Sequence, residues 1–159
     1  MLDASIDRPS TIPWPPILLV GAILVALSFD YWIVPLPIPF AEMLFARLAG
    51  LLLLVAGLGL IGWAVHEFRL HATTIRPDRA ASHLMTTGAF AYSRNPIYLG
   101  EAATLLGAAL VTNRLSLAFI VPPFVFAVTR LAIWREEAHL DRQFGAQYAA
   151  YCDRVGRWF

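Results

Sequence analysis

Two short stretches carry the side chains best suited to chemistry. The run Gly88 to Gly100, GAFAYSRNPIYLG, sets Arg94, Asn95, Pro96 and Tyr98 close together, and Glu136 and Glu137 stand side by side further along the chain. Asn95 can cap a helix and Pro96 fits its first turn, so the unpaired amides of the helix that follows would point back toward the loop. Such an end can hold a carboxylate, and Arg94 adds a permanent positive charge beside it. The two adjacent carboxylates would attract a cation or accept hydrogen bonds from an amino group or from ribose hydroxyls. On the same side of the molecule, the two motifs could receive a zwitterionic small molecule with a positive centre.

Other signals lose their force in context. Gly57, Gly59 and Gly62 spell the dinucleotide fingerprint G-x-G-x-x-G, but they sit inside an apolar helical run with no strand before them; close helix packing is the better reading. His66, Glu67 and His71 resemble H-E-x-x-H with one residue too many. Five residues turn a helix by about 500°, so the two imidazoles diverge by roughly 140° and no metal site is expected. The one cysteine, Cys152, reads as a packing residue of the last helix. Glu101, an ionisable residue in an apolar segment, is a functional candidate by default, with a structural pair to an arginine such as Arg94 as the alternative.

The elements that must position these residues are apolar helices. Hydrophobic residues make up 58% of the 159 and charged ones only 14%, and the mean hydropathy is +0.63. No charge falls between Arg8 and Asp30 or between Arg47 and Glu67, each stretch long enough to cross a hydrocarbon core of about 30 Å. The net charge of +1 gives no field for a polyanion, so a nucleic-acid partner is not expected. None of the runs alternates as a barrel strand would. The fold class expected is all-α: a multi-pass integral membrane protein with about four transmembrane helices plus a cytoplasmic amphipathic C-terminal helix, forming a single domain over 1–159.

The four segments run from about Pro15 to Val34, Glu42 to Val65, Pro96 to Val111 and Leu115 to Trp134. The last two should form a hairpin around Thr112, Asn113 and Arg114, and Pro122 and Pro123 should kink the fourth. The N-terminal run follows two aspartates and lacks a small-residue cleavage site, so it reads as a retained helix rather than a signal peptide. Arginines concentrate in the two polar stretches, 66–96 and 135–159, against Arg47 and Arg114 at the opposite turns. By the positive-inside rule both stretches and both termini face the cytoplasm. In the tail, Leu140, Phe144, Tyr148, Tyr151 and Val155 form an apolar stripe that suits either a helix lying on the bilayer or a lid over a pocket. Gly145 is placed to bend it.

The run SHLMTTGAFAYSRNPIYLG from Ser82, followed after a hairpin by REEAHLDRQFGAQYAAYCDRVGRW from Arg135, resembles the isoprenylcysteine carboxyl methyltransferase family; the related phospholipid methyltransferases share its plan. The resemblance covers the chain from about His83 onward. It implies an integral membrane enzyme that uses S-adenosyl-L-methionine without a Rossmann domain, its cofactor pocket at the cytosolic face. Position by position it implicates His83, Leu84, Met85, Phe90, Asn95, Pro96, Ile97, Tyr98 and Glu136 in cofactor binding, and Arg135 and Glu137 in catalysis. Asn95 stands where family enzymes have a histidine, Phe90 where a tyrosine is common, and Gly156 where a proline often follows the tail valine. Ala132 occupies the place of a substrate-side arginine, for which Arg130 and Arg135 are the nearest substitutes.

That resemblance implies methyl transfer by in-line displacement, for which the protein mainly supplies alignment. A carboxylate acceptor needs no general base near neutral pH, whereas an ammonium or thiol must first lose a proton. No histidine–aspartate pair stands out as a base, which favours a carboxylate or an easily ionised acceptor; the resemblance points to carboxylate O-methylation of an isoprenylcysteine-like lipophilic acceptor, with a small soluble thiol as a further alternative. The alternatives are a phospholipid N-methyltransferase, an NADPH-dependent membrane sterol-type reductase, whose tail and arginine-x-proline-x-tyrosine loop look similar, and a non-catalytic lipid-binding protein. The spacings Ala46 to Gly50 and Ala103 to Gly107 suit helix contacts within the chain or between copies.

Overall fold

The computed structural model describes residues 14–33, 36–70 and 83–159. The N-terminal segment before Trp14, Pro35, His71, Arg76, Arg79 and Ser82 lie outside those residues. Helix α1 is Trp14–Trp32, α2 Leu44–Leu70, α3 Pro96–Thr112, α4 Leu115–Phe119, α5 Val121–Val128, α6 Trp134–Phe144 and α7 Ala146–Cys152. A 3₁₀ turn, Gly88–Ala91, precedes α3, and one π turn, Thr129–Ile133, joins α5 to α6. Among the described residues there is no strand.

Two helical stretches are long and apolar enough to cross a membrane: α2, and the run Leu115–Phe144 from α4 through α6. The other two apolar helices, Pro16–Trp32 and α3, are shorter; the 17 residues of α3 span about 25 Å. Among the described residues, two of the four expected spans therefore reach full length. Helix α2 runs five residues past the expected end at Val65, so His66, Glu67 and Arg69 belong to it and not to a polar loop. Leucine and alanine throughout its length favour helix, and nothing between Val65 and Leu70 breaks it.

Sequence chemistry sets the other boundaries. Pro96 opens α3, where its missing N–H costs nothing. Asn113 closes it at φ 54°, in the left-handed region that asparagine tolerates best after glycine. Its side-chain oxygen accepts a hydrogen bond from the Ile38 amide at 2.7 Å, and the Leu115 amide donates to the Leu36 carbonyl at 3.0 Å. Beside this turn Arg114 meets the buried Asp30 carboxylate at 2.8 Å. Pro122 and Pro123 sit in the first turn of α5; their missing donors would have bonded the Ala118 and Phe119 carbonyls, where α4 ends.

The main partner of α3 is α2, against which it packs glycine to backbone, rather than α4 of its own hairpin. A Cβ on Gly57 would lie 2.6 Å from the Gly100 carbonyl oxygen, and one on Gly107 would lie 2.7 Å from the Gly50 carbonyl oxygen. Gly59 and Gly62 meet nothing within 4 Å, so of the glycines in the false fingerprint only Gly57 packs. The Ala46–Gly50 pair is likewise spent inside the chain. On the other side of α3 the core gathers Ala26, Tyr98, Leu105, Phe124, Val128 and Ile133. The remaining faces stay apolar and open: Leu44, Leu52 and Phe126 are all more than half exposed.

Candidate functional site

The loop before α3 and the chain after α5 meet at one end of the helices. The π turn sits directly before α6 and carries Ala132 and Ile133 into the core. One extra residue in a turn rotates everything after it, and such bulges recur near functional sites. Here it brings Glu136 and Glu137 toward the start of α3. The Tyr98 hydroxyl donates to Glu136 Oε1 at 3.4 Å. Tyr98 is buried and Glu136 is exposed as a residue, and the phenol anchors one oxygen of its carboxylate.

Glu137 points into a different network. Arg157 clamps it with two bonds, Nε to Oε1 at 2.9 Å and Nη2 to Oε2 at 2.7 Å, while Arg94 Nη1 lies 3.3 Å from Oε1. Such two-pronged pairs are among the stronger polar contacts in proteins. Arg94 also donates to Cys152 Sγ at 2.8 Å and to the Tyr148 hydroxyl at 3.3 Å. The possible pairing of Arg94 with Glu101 is thus replaced by one with Glu137. Glu101 is 4% exposed, and its Oε2 has no hydrogen-bond partner.

Main-chain bonds complete the join. The Arg94 amide donates to the Gly156 carbonyl at 3.0 Å, and the Asn95 side-chain amide donates to the Arg157 carbonyl at 3.0 Å. Asn95 stands at the cap position of α3 but makes no capping bond, because its side chain is committed to the tail. A Cβ on Gly156 would run into the Phe159 carbonyl, so the tight final turn accounts for glycine at that position.

The tail stripe is buried against the loop. Tyr148, Tyr151 and Val155 cluster with Leu84, Leu140 and Phe144, and the Tyr151 hydroxyl donates to the Phe90 carbonyl at 2.7 Å. Of the two readings of this stripe, the packed cover applies to α7. Gly145, at φ 48°, breaks the helix into α6 and α7 and lets the second piece fold back. Burial pushes the Tyr151 hydroxyl up to about 12, against the pull of the nearby Arg94 charge. Burial raises Tyr148 as well, aided by its hydrogen bond with Cys152. The hydrogen bonds to Glu137 raise Arg157 above its ordinary value.

The residues singled out from sequence fall into three groups. Tyr98 and Glu136 meet directly, with Asn95, Pro96 and Ile97 on the adjoining first turn of α3. Met85 and Phe90 are buried with Ala64, packed by Leu60, Phe68 and Ile97, so they support the loop from below. His83 and Leu84 line a separate cleft of about 500 Å³ with Thr86, Phe144, Gln147 and Arg154. Arg135 is exposed, and Arg130 stacks on Trp134 with its guanidinium 4.1 Å from the ring centroid. Sequence reasoning passed over Arg157 as the clamp on Glu137; its place in the tail motif beside Trp158 was the available signal. Among the described residues no cluster of ligating side chains could hold a metal ion.

A family model described as phospholipid methyltransferase matches residues 45–147, from the second residue of α2 into α7. No curated protein matches the chain. The matched span contains α3, the π turn, the Tyr98–Glu136 contact and the Arg94–Glu137 pair, and it covers well over half of the sequence: the chain belongs to the phospholipid methyltransferase family.

Proposed function

We propose that this protein is a multi-pass integral membrane methyltransferase that takes its methyl group from S-adenosyl-L-methionine and gives it to a lipophilic acceptor. The observation that carries the proposal is the Tyr98–Glu136 contact at 3.4 Å, which joins the two implicated motifs in one site. The cofactor is zwitterionic with a sulfonium centre, and when bound it supplies an electrophilic methyl carbon. The residues present fit such a group. The Glu136 carboxylate can accept from ribose hydroxyls, the first turn of α3 lies beside it, and its negative charge suits a positive centre.

In this reading Asn95, Pro96, Ile97, Tyr98 and Glu136 form the cofactor wall, Met85 and Phe90 back it, and His83 and Leu84 contribute from the separate cleft. Arg135 faces the acceptor side. Glu137 contributes by holding Arg94 and Arg157, which fix the loop and the tail on either side of Glu136. The reaction needs alignment above all, and ties between loop, α6 and tail supply it.

Membrane insertion is supported by the exposed apolar faces of α2 and of the Leu115–Phe144 run. We place the shorter α1 and α3 alongside them as the other two passes, with the site and both termini on the cytoplasmic side, where arginine is enriched. S-adenosylhomocysteine should raise the thermal unfolding midpoint of the purified protein while NADPH leaves it unchanged. Protection by NADPH alone would point to the reductase reading.

A further inference from the structure

Glu101 Oε2 is among the buried polar atoms left without a partner, and the site described above gives it no role. Glu101 is 4% exposed, its Oε2 has no partner, and it takes part in none of the ion pairs among the described residues. Isolated carboxylates are costly to bury unless a cation or a proton compensates them. Neither nearby arginine does so: Arg94 is held by Glu137, Tyr148 and Cys152, and Arg114 lies at the opposite end with Asp30.

Its position ties it to the site. Glu101 follows Tyr98 by three residues on the same face of α3, and its charge acts on the Tyr98 hydroxyl that holds Glu136. It lies about 7 Å deeper along the helix axis than Pro96, at about 1.5 Å per residue. The cluster therefore runs from the Glu136 carboxylate through the Tyr98 phenol to the unpartnered, buried Glu101 carboxylate. An ionised carboxylate at its inner end repels an acceptor that is itself a carboxylate and attracts an ammonium.

We propose that Glu101 is the acceptor-side carboxylate of the site, receiving the proton that an amine acceptor must lose before its nitrogen can attack. This inference rests on the methyltransferase reading above. An ammonium R–NH₃⁺ gives one proton to the Glu101 carboxylate, leaving R–NH₂ and a neutral carboxylic acid. The nitrogen lone pair then forms the bond to the methyl carbon as the carbon–sulfur bond breaks, and that bond's electron pair goes to sulfur. The products are R–NH₂⁺–CH₃ and a neutral thioether, and Glu101 returns its proton to water at the membrane surface. The sequence favoured a carboxylate acceptor because no base stood out; Glu101 is such a base.

The test uses the full chain in maltoside micelles, which hold no amine. Dicyclohexylcarbodiimide, which modifies buried carboxyl groups, is used to label Glu101, and the rate is followed by mass spectrometry. Short-chain phosphatidylethanolamine should slow labelling at least tenfold, and phosphatidylglycerol should not; free ethanolamine tells whether the amine must be lipid-borne. Equal rates with and without an amine would overturn the proposal. In parallel, Glu101→Gln should bind S-adenosylhomocysteine within twofold of wild type yet lose at least 100-fold in methylation of the amine lipid, with Glu101→Asp recovering part of it. Loss of S-adenosylhomocysteine binding in Glu101→Gln would assign the residue to the cofactor wall instead, and transfer by wild type to a prenylcysteine carboxylate alone would also refute it. If wild type binds no S-adenosylhomocysteine at all, the methyltransferase reading fails while the labelling result still decides whether Glu101 meets an amine.

Discussion

Removing the Glu137 carboxylate would leave Arg94 and Arg157 facing each other without the counter-charge they share. Both Arg94 and Glu137 are largely buried, at 17% and 19% side-chain exposure, so solvent replaces little of the loss. Glu137→Ala should therefore destabilise the protein by about 1.5–3 kcal/mol, the range for hydrogen bonds to charged groups. Denaturant unfolding in detergent measures it, and a change below about 0.5 kcal/mol would mean the network is slack. At this scale the sequence was informative about identity and less so about partners. Tyr98 and Glu136 stood out because each sits in a motif, but nothing local says that Arg94 will choose Glu137 over the nearer Glu101. That choice depends on the π turn, which a run of apolar residues such as Thr129–Ile133 does not announce.

The packing of α2 on α3 makes a sharper prediction for helices. A methyl group at Gly107 would meet the Leu54 amide nitrogen at 2.5 Å, and backbone cannot give way as a side-chain tip can. Gly107→Ala should cost about 1–3 kcal/mol through overpacking. Gly59→Ala meets nothing within 4 Å and should be neutral or stabilising by about 0.5–1 kcal/mol, since alanine is the better helix former. Thermal midpoints of the two variants that moved together would contradict this packing.

The tail gives a pH prediction of definite sign. The Tyr151 hydroxyl is raised from about 10 to about 12 in the folded chain, so the native state keeps a proton that the unfolded chain loses. Its stabilising contribution is whole below pH 10 and is lost as pH climbs toward 12. Tyrosinate absorbance should rise together with loss of tail structure across that window, and Tyr151→Phe should remove part of the coupling. The starts and stops at Pro96, Asn113 and Gly145 were legible because proline, asparagine and glycine act locally. The extension of α2 through His66 and Glu67 was not, since polarity there marks a change of surroundings while the helix continues.

For the whole molecule, the decisive feature is an extensive exposed apolar surface. Leu52 on α2 is 71% exposed, among neighbours of the same kind. Leu52→Arg should impair membrane integration, at about 2.5–3.5 kcal/mol for a charge near the centre of a span, and alkaline carbonate extraction would release more of the variant than of wild type. Composition made the apolar helices legible in advance. It did not reveal that, among the described residues, two of the four helical runs would reach full length.

In the proposed cofactor site the α3 loop and the glutamate pair act together. Calorimetric titration of the full-length protein with S-adenosylhomocysteine, wild type beside Glu136→Gln, tests that directly. Saturable binding by wild type that weakens at least tenfold in Glu136→Gln, with the thermal midpoint of the ligand-free variant unchanged, is the predicted result. Binding of equal strength in the two proteins would contradict it.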